Sequence, residues 1–242
     1  MKIEGTKVWG WENALIGMRL PMCNSYEEAK NKCDSVFYND GSLMSVGESD
    51  LKVMKNLVAA DSGTFGNGDS KTGLPNSKFL RMIHVQVCLT APMYIWKEAD
   101  TYKVGTVRNS SSTMHKLAST PITMDCFEMC DSFSDYGDMG FFDLAELFSF
   151  WESLIKKLEY LRNKYNATKD KRYWKELIRL LPESWLQTSI LDLNYAVLRD
   201  IYCWRKNHKL TEWHTICEWI RQLPLAKELI VNDGAKDESM GI

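Results

Sequence analysis

The stretch Asn109-Ser110-Ser111-Ser112-Thr113 sets an amide and then four hydroxyl side chains in a row, and Arg108 stands just before it. Folded into a turn, such a run can cradle a phosphate with its hydroxyls and backbone N–H groups. The plainer alternative is a polar loop whose side chains bond to neighbouring backbone. A second cationic run, Arg205-Lys206-Asn207-His208-Lys209, closes a predicted helix. A guanidinium there is a rigid, permanently charged fork matched to phosphate oxygens, whereas Lys206 and Lys209 are accounted for by the helix dipole. His208 is a candidate to line the same pocket, while His84 and His214 read as strand-face and helix-surface residues.

Other chemistries find little support. No G-x-G-x-x-G opens a helix and no G-x4-G-K-[ST] occurs, so neither a dinucleotide fold nor a P-loop is indicated. No serine or cysteine nucleophile comes with a recognisable base and orienting group. Cys126 and Cys130 form a C-x3-C with His115 as the nearest histidine, which reads as helix packing rather than zinc, and no metal is expected.

The elements that must position these residues belong to a chain of 242 residues, 45% hydrophobic and 12% aromatic, ample for a buried core. Charged residues nearly cancel to a formal net charge of -2 and bases are interspersed with acids, so no nucleic-acid or membrane partner is expected. Ile83 to Ile95 is interrupted by His84, Gln86 and Pro92 and is too short for a membrane span, and Met1 to Trp11 develops no apolar signal core. Seven cysteines, an odd number, make a poor disulfide framework, and a cytoplasmic, reduced setting is expected.

Ala14 to Leu20 is compatible with a strand or a short buried helix, and Asn24-Ser25 offers N-cap chemistry for a helix through Lys32. Leu51, Met54, Leu57 and Val58 recur at helical spacing and predict an amphipathic helix over Glu48–Ala60. Asp61 to Pro75 is rich in glycine and polar residues and reads as a mobile surface loop. Met82–Leu89 alternates with a period of two, the signature of a half-buried strand, and Pro92 ends it where a helix can begin. Helices are predicted over Phe141–Asn166, Lys171–Leu181, Ser184–Lys206 and Thr211–Gln222, with Pro182 and Pro224 as punctuation. Tryptophans including Trp151, Trp174, Trp185, Trp204, Trp213 and Trp219 recur on helical faces, as packing rather than base-stacking residues would. The predicted fold is α+β (mixed α/β): one domain over residues 1–242, strands in the N-terminal half, long helices in the C-terminal half.

Ala91 to His115 resembles, without gaps, the signature region of flavin-dependent thymidylate synthases. There an apolar-Pro step ends a strand, a helix carries Arg-His-Arg, and a serine follows after seven residues with an arginine two positions on. Thr101, Tyr102 and Lys103 fall on the triplet, Ser111 on the serine and Thr113 on the final arginine. Leu180-Leu181-Pro182, Asn194 twelve residues after the proline and Arg205 eleven after that repeat a second family pattern in the same register. The resemblance spans about residues 45 to 222 and implies a ThyX-like homotetramer with pockets built from several subunits. It implies that Asn194, Ser111, Lys78 and Arg81 lie at flavin adenine dinucleotide (FAD) positions. Thr101, Tyr102, Lys103, Thr106, Arg108, Asn109, Ser110, Ser111, Ser112, Thr113, Arg205 and His208 would line the nucleotide pocket, with Ser111 the catalytic residue if activity survives.

The departures from that pattern bear on chemistry. The arginines that hold the family's dianionic nucleotide are replaced by Thr101, Lys103 and Thr113, and another falls on Ile178, leaving Arg205. Each lost charge-assisted bond is worth about 1.5–3 kcal/mol, so the family substrate should not bind in the family manner. The resemblance therefore implies a nucleotide-like anionic ligand that is captured rather than converted, with no certain cofactor. The alternative is a flavoenzyme acting with FAD and methylene-folate on a modified deoxyuridine monophosphate. A third reading is a scaffold with no small-molecule ligand. The sequence also resembles bacteriophage proteins, which extends the implied role to sequestering a host nucleotide signal.

Overall fold

A computed structural model describes residues 1–62, 76–129 and 141–231. Most of the glycine-rich stretch expected to be a mobile loop, residues 63–75, and Cys130 of the C-x3-C pair lie outside the described residues.

In chain order the elements are β1 (Lys2–Trp9), α1 (Trp11–Arg19), α2 (Tyr26–Lys32), β2 (Val36–Phe37), β3 (Leu43–Ser45), α3 (Glu48–Ser62), β4 (His84–Pro92), α4 (Met93–Ala99), β5 (Val107–Ser110), α5 (Thr113–Lys116), α6 (Phe141–Thr168), α7 (Lys171–Arg179), β6 (Leu186–Asn194), α8 (Tyr195–Arg205), α9 (Thr211–Arg221) and α10 (Ala226–Leu229). Short 3-10 turns occupy Leu20–Met22, Lys78–Arg81 and Met124–Cys126. The fold is mixed α/β: all described strands except β6 precede residue 111, and helices dominate the second half. Four strands form one sheet in the order β1-β4-β6-β5, and β2 and β3 form a separate antiparallel pair.

Strand β4 follows its sequence pattern, with Val85, Val87, Leu89 and Ala91 buried, as is Ile83 just before it, and His84, Gln86, Cys88 and Thr90 half-buried. It runs antiparallel to β6, since the Tyr195 N–H reaches the Ile83 carbonyl at one end and the Met93 N–H reaches the Trp185 carbonyl at the other. Ala14 to Arg19 resolves as helix, within α1, and Leu20 opens the 3-10 turn that follows. Two expectations fail. Ser184–Lys206 is not one helix, because Gln187, Ser189, Leu191 and Leu193 turn inward at period two as strand β6 before α8 begins. The helix expected to carry Thr101 to Lys103 stops at Ala99. Its last carbonyls are taken by the Asp100 N–H and by the Thr101 hydroxyl, 2.7 Å from the Glu98 oxygen.

The chain divides into two compact units. The first comprises Met1–Lys2, Leu89–Thr101 and Asn109–Ser189. Its core packs Leu117, Ile122, Phe127, Leu158, Leu161 and Leu177, with Phe127 between the rings of Trp151 and Trp185. The buried Trp96 indole donates to the carbonyls of Ala91 and Gln187, tying α4 to β4 and β6. Cys126 ends a 3-10 turn and packs against this core.

The second unit comprises Ile3–Cys88, Tyr102–Arg108 and Ile190–Ile242. Its core gathers Trp11, Leu15, Met54, Leu80 and Ile83 with Tyr195, Leu198, Tyr202, Trp213 and Ile220, and the Tyr195 hydroxyl donates to the Pro224 carbonyl. A buried carboxylate organises its N-terminal helices. Asp50 accepts from Arg19 Nε (2.7 Å), Cys33 Sγ (3.0 Å), the Asp34 and Ser35 N–H groups and the Ser35 hydroxyl (2.6 Å). Asp34 in turn caps α3 by accepting from the N–H groups of Ser49 and Asp50. Gly47 makes room for that carboxylate, since a Cβ there would lie 2.1 Å from Asp34 Cγ. Burial, helped by Asp50, pushes the Cys33 thiol up to about 11. Replacing Asp50 with alanine strands the Arg19 cation and several N–H donors, and we expect a loss of about 3–5 kcal/mol. Urea unfolding followed by far-UV circular dichroism measures it, and a midpoint within error of the parent would refute this account.

Candidate functional site

In the second unit, Arg205 is the last residue of α8 and Tyr102 lies just beyond α4. Arg205 Nε donates to the Tyr102 hydroxyl at 3.0 Å. Its guanidinium carbon stands 4.8 Å from the centre of the Trp213 ring and 5.7 Å from that of Tyr102, both within cation–π range. Trp213, on α9, is fully buried, so one wall of this clamp is set by the core. His208 packs edge-on against Trp213 at 6.3 Å and its Nδ1 accepts the Leu210 N–H, so the imidazole braces the α8–α9 turn. Three residues singled out in sequence, Tyr102, Arg205 and His208, are thus gathered around a tryptophan that was read only as packing.

Asn194 supplies the other end of α8. Its Oδ1 accepts the Val197 N–H at 3.1 Å as the N-cap, and its side chain is buried. Gly105 lies against it with a φ of 82°, and a Cβ on Gly105 would come within 2.5 Å of Asn194 Nδ2. The amide oxygen is therefore engaged as the cap of α8. Of the remaining residues near Tyr102, Lys103 is exposed, and Thr106 and Arg108 are half-buried, Arg108 on β5.

Lys78 and Arg81 stand exposed on a 3-10 turn anchored by the buried Phe79 and Leu80. The turn is fixed from behind by Asp61, whose carboxylate accepts from the Asn76 amide (2.8 Å) and from the Ser77 N–H (2.7 Å) and hydroxyl (2.6 Å). Burial opposes the Asp61 charge, but these bonds outweigh it and hold the carboxyl below its usual range. On α8, burial raises the Asp200 carboxyl while Arg199 and Arg81 pull it back, and burial lowers the basicity of Arg199 against the fields of Asp61 and Asp200. Sequence reasoning passed over this buried charge cluster. Its signal was Arg199-Asp200 embedded in the otherwise apolar run Tyr195–Trp204.

In the first unit, the hydroxyl run divides its work. Asn109 and Ser110 are exposed at the end of β5. The Ser111 N–H donates to the Thr188 carbonyl at 2.8 Å, and its own carbonyl accepts from Gln187 Nε2 at 2.8 Å, leaving the Ser111 side chain on the surface. Ser112 caps α5 by accepting the His115 N–H, and Thr113 Oγ1 lies 3.4 Å from Gln187 Nε2. Ser112 so follows the plainer reading of a local bond and Thr113 is bonded at long range to Gln187, whereas Asn109 to Ser111 keep exposed side chains. Thr101, bonded to Glu98, serves the end of α4. Among the described residues no group of three potential metal ligands is found, and no described helix is long and apolar enough to cross a membrane.

No protein-family model matches the chain, and no curated protein matches it in sequence. Solved structures do. The flavin-dependent thymidylate synthase ThyX of Helicobacter pylori, complexed with FAD and dUMP, superposes with a TM-score of 0.59 at 14% identity, covering 95% of this chain and 98% of that one. A second structure of that enzyme with FAD and dUMP also gives 0.59 at 14% identity, over 95% and 97% of the two chains. A UMP/dUMP methylase, PolB from Streptomyces cacaoi, bound with 5-Br dUMP gives 0.56 at 12% identity, over 94% and 93%. The chain has the ThyX fold, as the signature intervals implied, and at these identities the likeness concerns fold alone.

The capping role of Asn194 is open to measurement. Asn194→Ala should cost about 0.5–2 kcal/mol and Asn194→Asp much less, because aspartate also caps. Equal losses in thermal unfolding would remove the cap from the account.

Proposed function

We propose that the protein binds a phosphorylated nucleotide on its ThyX-like scaffold and captures it rather than converting it. One observation carries the reading: Arg205 is already oriented by the Tyr102 hydroxyl and by the Tyr102 and Trp213 rings. A guanidinium held this way gives up little further freedom on meeting an anion, and such preorganisation favours affinity. Lys103, Lys78 and Arg81 are exposed cations of the same unit that can add to the attraction. The structural neighbours were solved with dUMP or a brominated dUMP, which supports a pyrimidine nucleotide as the first ligand to try. Assembly into a homotetramer, and sequestration of a host nucleotide signal by a bacteriophage protein, belong to the same proposal.

The flavoenzyme reading draws on Asn194 and Ser111. That asparagine has a structural reason to be present, as the cap of α8. What favours the second reading is the fold shared with structures that hold FAD.

Native mass spectrometry of the purified protein, alone and with FAD and a panel of mono-, di- and cyclic nucleotides, separates the readings. We expect one nucleotide per protomer without flavin, and a loss of about 10–150-fold in affinity for Arg205→Ala, the value of one charge-assisted bond. Stoichiometric flavin would favour the enzyme, and a protein that binds neither would leave only a scaffold.

A further inference from the structure

Helix α6 carries a self-complementary stripe. Asp143, Glu146, Phe150, Ser153, Lys157, Tyr160 and Lys164 follow one another at alternating intervals of three and four residues, and all seven are exposed. That spacing keeps side chains on one face of a helix and defines the seam of a helix pair that crosses at a shallow angle. Trp151, Leu154, Leu158 and Leu161, centred about a quarter-turn round the helix from the stripe, belong to the core of its own unit, while the stripe itself is left exposed. The shared face is visible at its C-terminal end, where the ammonium groups of Lys157 and Lys164 lie 5.4 and 5.6 Å from the centre of the Tyr160 ring.

The order of residues along the stripe is polarised. Acids come first, an aromatic and a small residue follow, and then lysine, tyrosine and lysine. We infer that α6 pairs antiparallel with α6 of a second copy of this chain. With a two-fold axis at the level of residue 155, Glu146 of each copy meets Lys164 of the other, Phe150 meets Tyr160, and Ser153 leaves room for the stem of Lys157. A C2 contact requires just such a patch, in which residue i meets j and j meets i. The parallel alternative sets Glu146 against Glu146 and Lys164 against Lys164, so charge also selects the direction. Lysines alone would equally suit a polyanion, but Asp143, Glu146 and the 62%-exposed Phe150 on the same face fit a copy of the helix better. Exposed Phe150 and Tyr160 lose apolar surface to water in the pair, which supplies attraction that salt does not screen.

Charge exchange tests this independently of any ligand. Sedimentation velocity across a micromolar concentration series would compare the parent with Glu146→Lys, Lys164→Glu and the double variant, with circular dichroism confirming that each is folded. Each single reversal should weaken self-association at least about tenfold, and the double variant should return to within about threefold of the parent. A monomeric parent, an assembly indifferent to the single reversals, or a double variant no better than the singles would each overturn the pairing.

Discussion

Antiparallel pairing of β4 with β6 is the constraint on which the other features rest. The pairing is locked from the Ile83–Tyr195 bond to the Met93–Trp185 bond. One face is filled by aliphatic side chains at period two, and the Trp96 indole bonds to carbonyls of both strands. A register slip of one residue would send every inward side chain outward, so the hydrophobic alternation and the hydrogen bonds specify the same alignment. The starting points of α4 and α8 follow, because each helix leaves the sheet directly from the end of its strand.

The treatment of positive charge sets this chain apart from the sequence pattern it resembles. Arg205 is clasped by aromatic rings, Arg199 is buried beside acids, and Arg81 sits within the field of Asp200. A guanidinium is well suited to such sites because it is weakly hydrated and stacks on aromatic faces, where an ammonium would lose more hydration. The Asp50–Arg19 pair near the N-terminus uses the same chemistry for structure alone. Buried arginine in this molecule is thus mostly a structural element, whereas Arg205 stands half-exposed at the end of α8.

Much of this was legible in the residues. Strand β4 and helices α3, α6, α7 and α9 were recognisable because their apolar residues keep a single period bounded by polar or proline residues. Strand β6 was not, because Ile190, Leu191, Leu193, Val197 and Leu198 also satisfy helical spacing and neither glycine nor proline separates strand from helix. Only Asn194 marks the junction, and an asparagine inside an apolar run is weak punctuation. The clamp was half legible: Arg205 and Tyr102 were each singled out, but they lie 103 positions apart in the chain and their bond depends on α8 and α9 packing. The Asp34 cap on α3 and the Asp61 hold on Ser77 were hidden for the same reason, being local chemistry supplied from a distance.

Helix α8 also acts as a ruler. It begins at a side-chain cap, runs for 11 residues and ends at the clamped guanidinium. Each residue of an α-helix turns the chain by about 100° and advances it by about 1.5 Å, so a single insertion or deletion between Asn194 and Arg205 would swing the cation away from Tyr102 and Trp213. A substitution on the outer face of the same helix would leave that geometry alone. Sequence drift on such a frame is free to rewrite letters but not to change the count between them, and an interval can therefore outlive the residues that once gave it meaning.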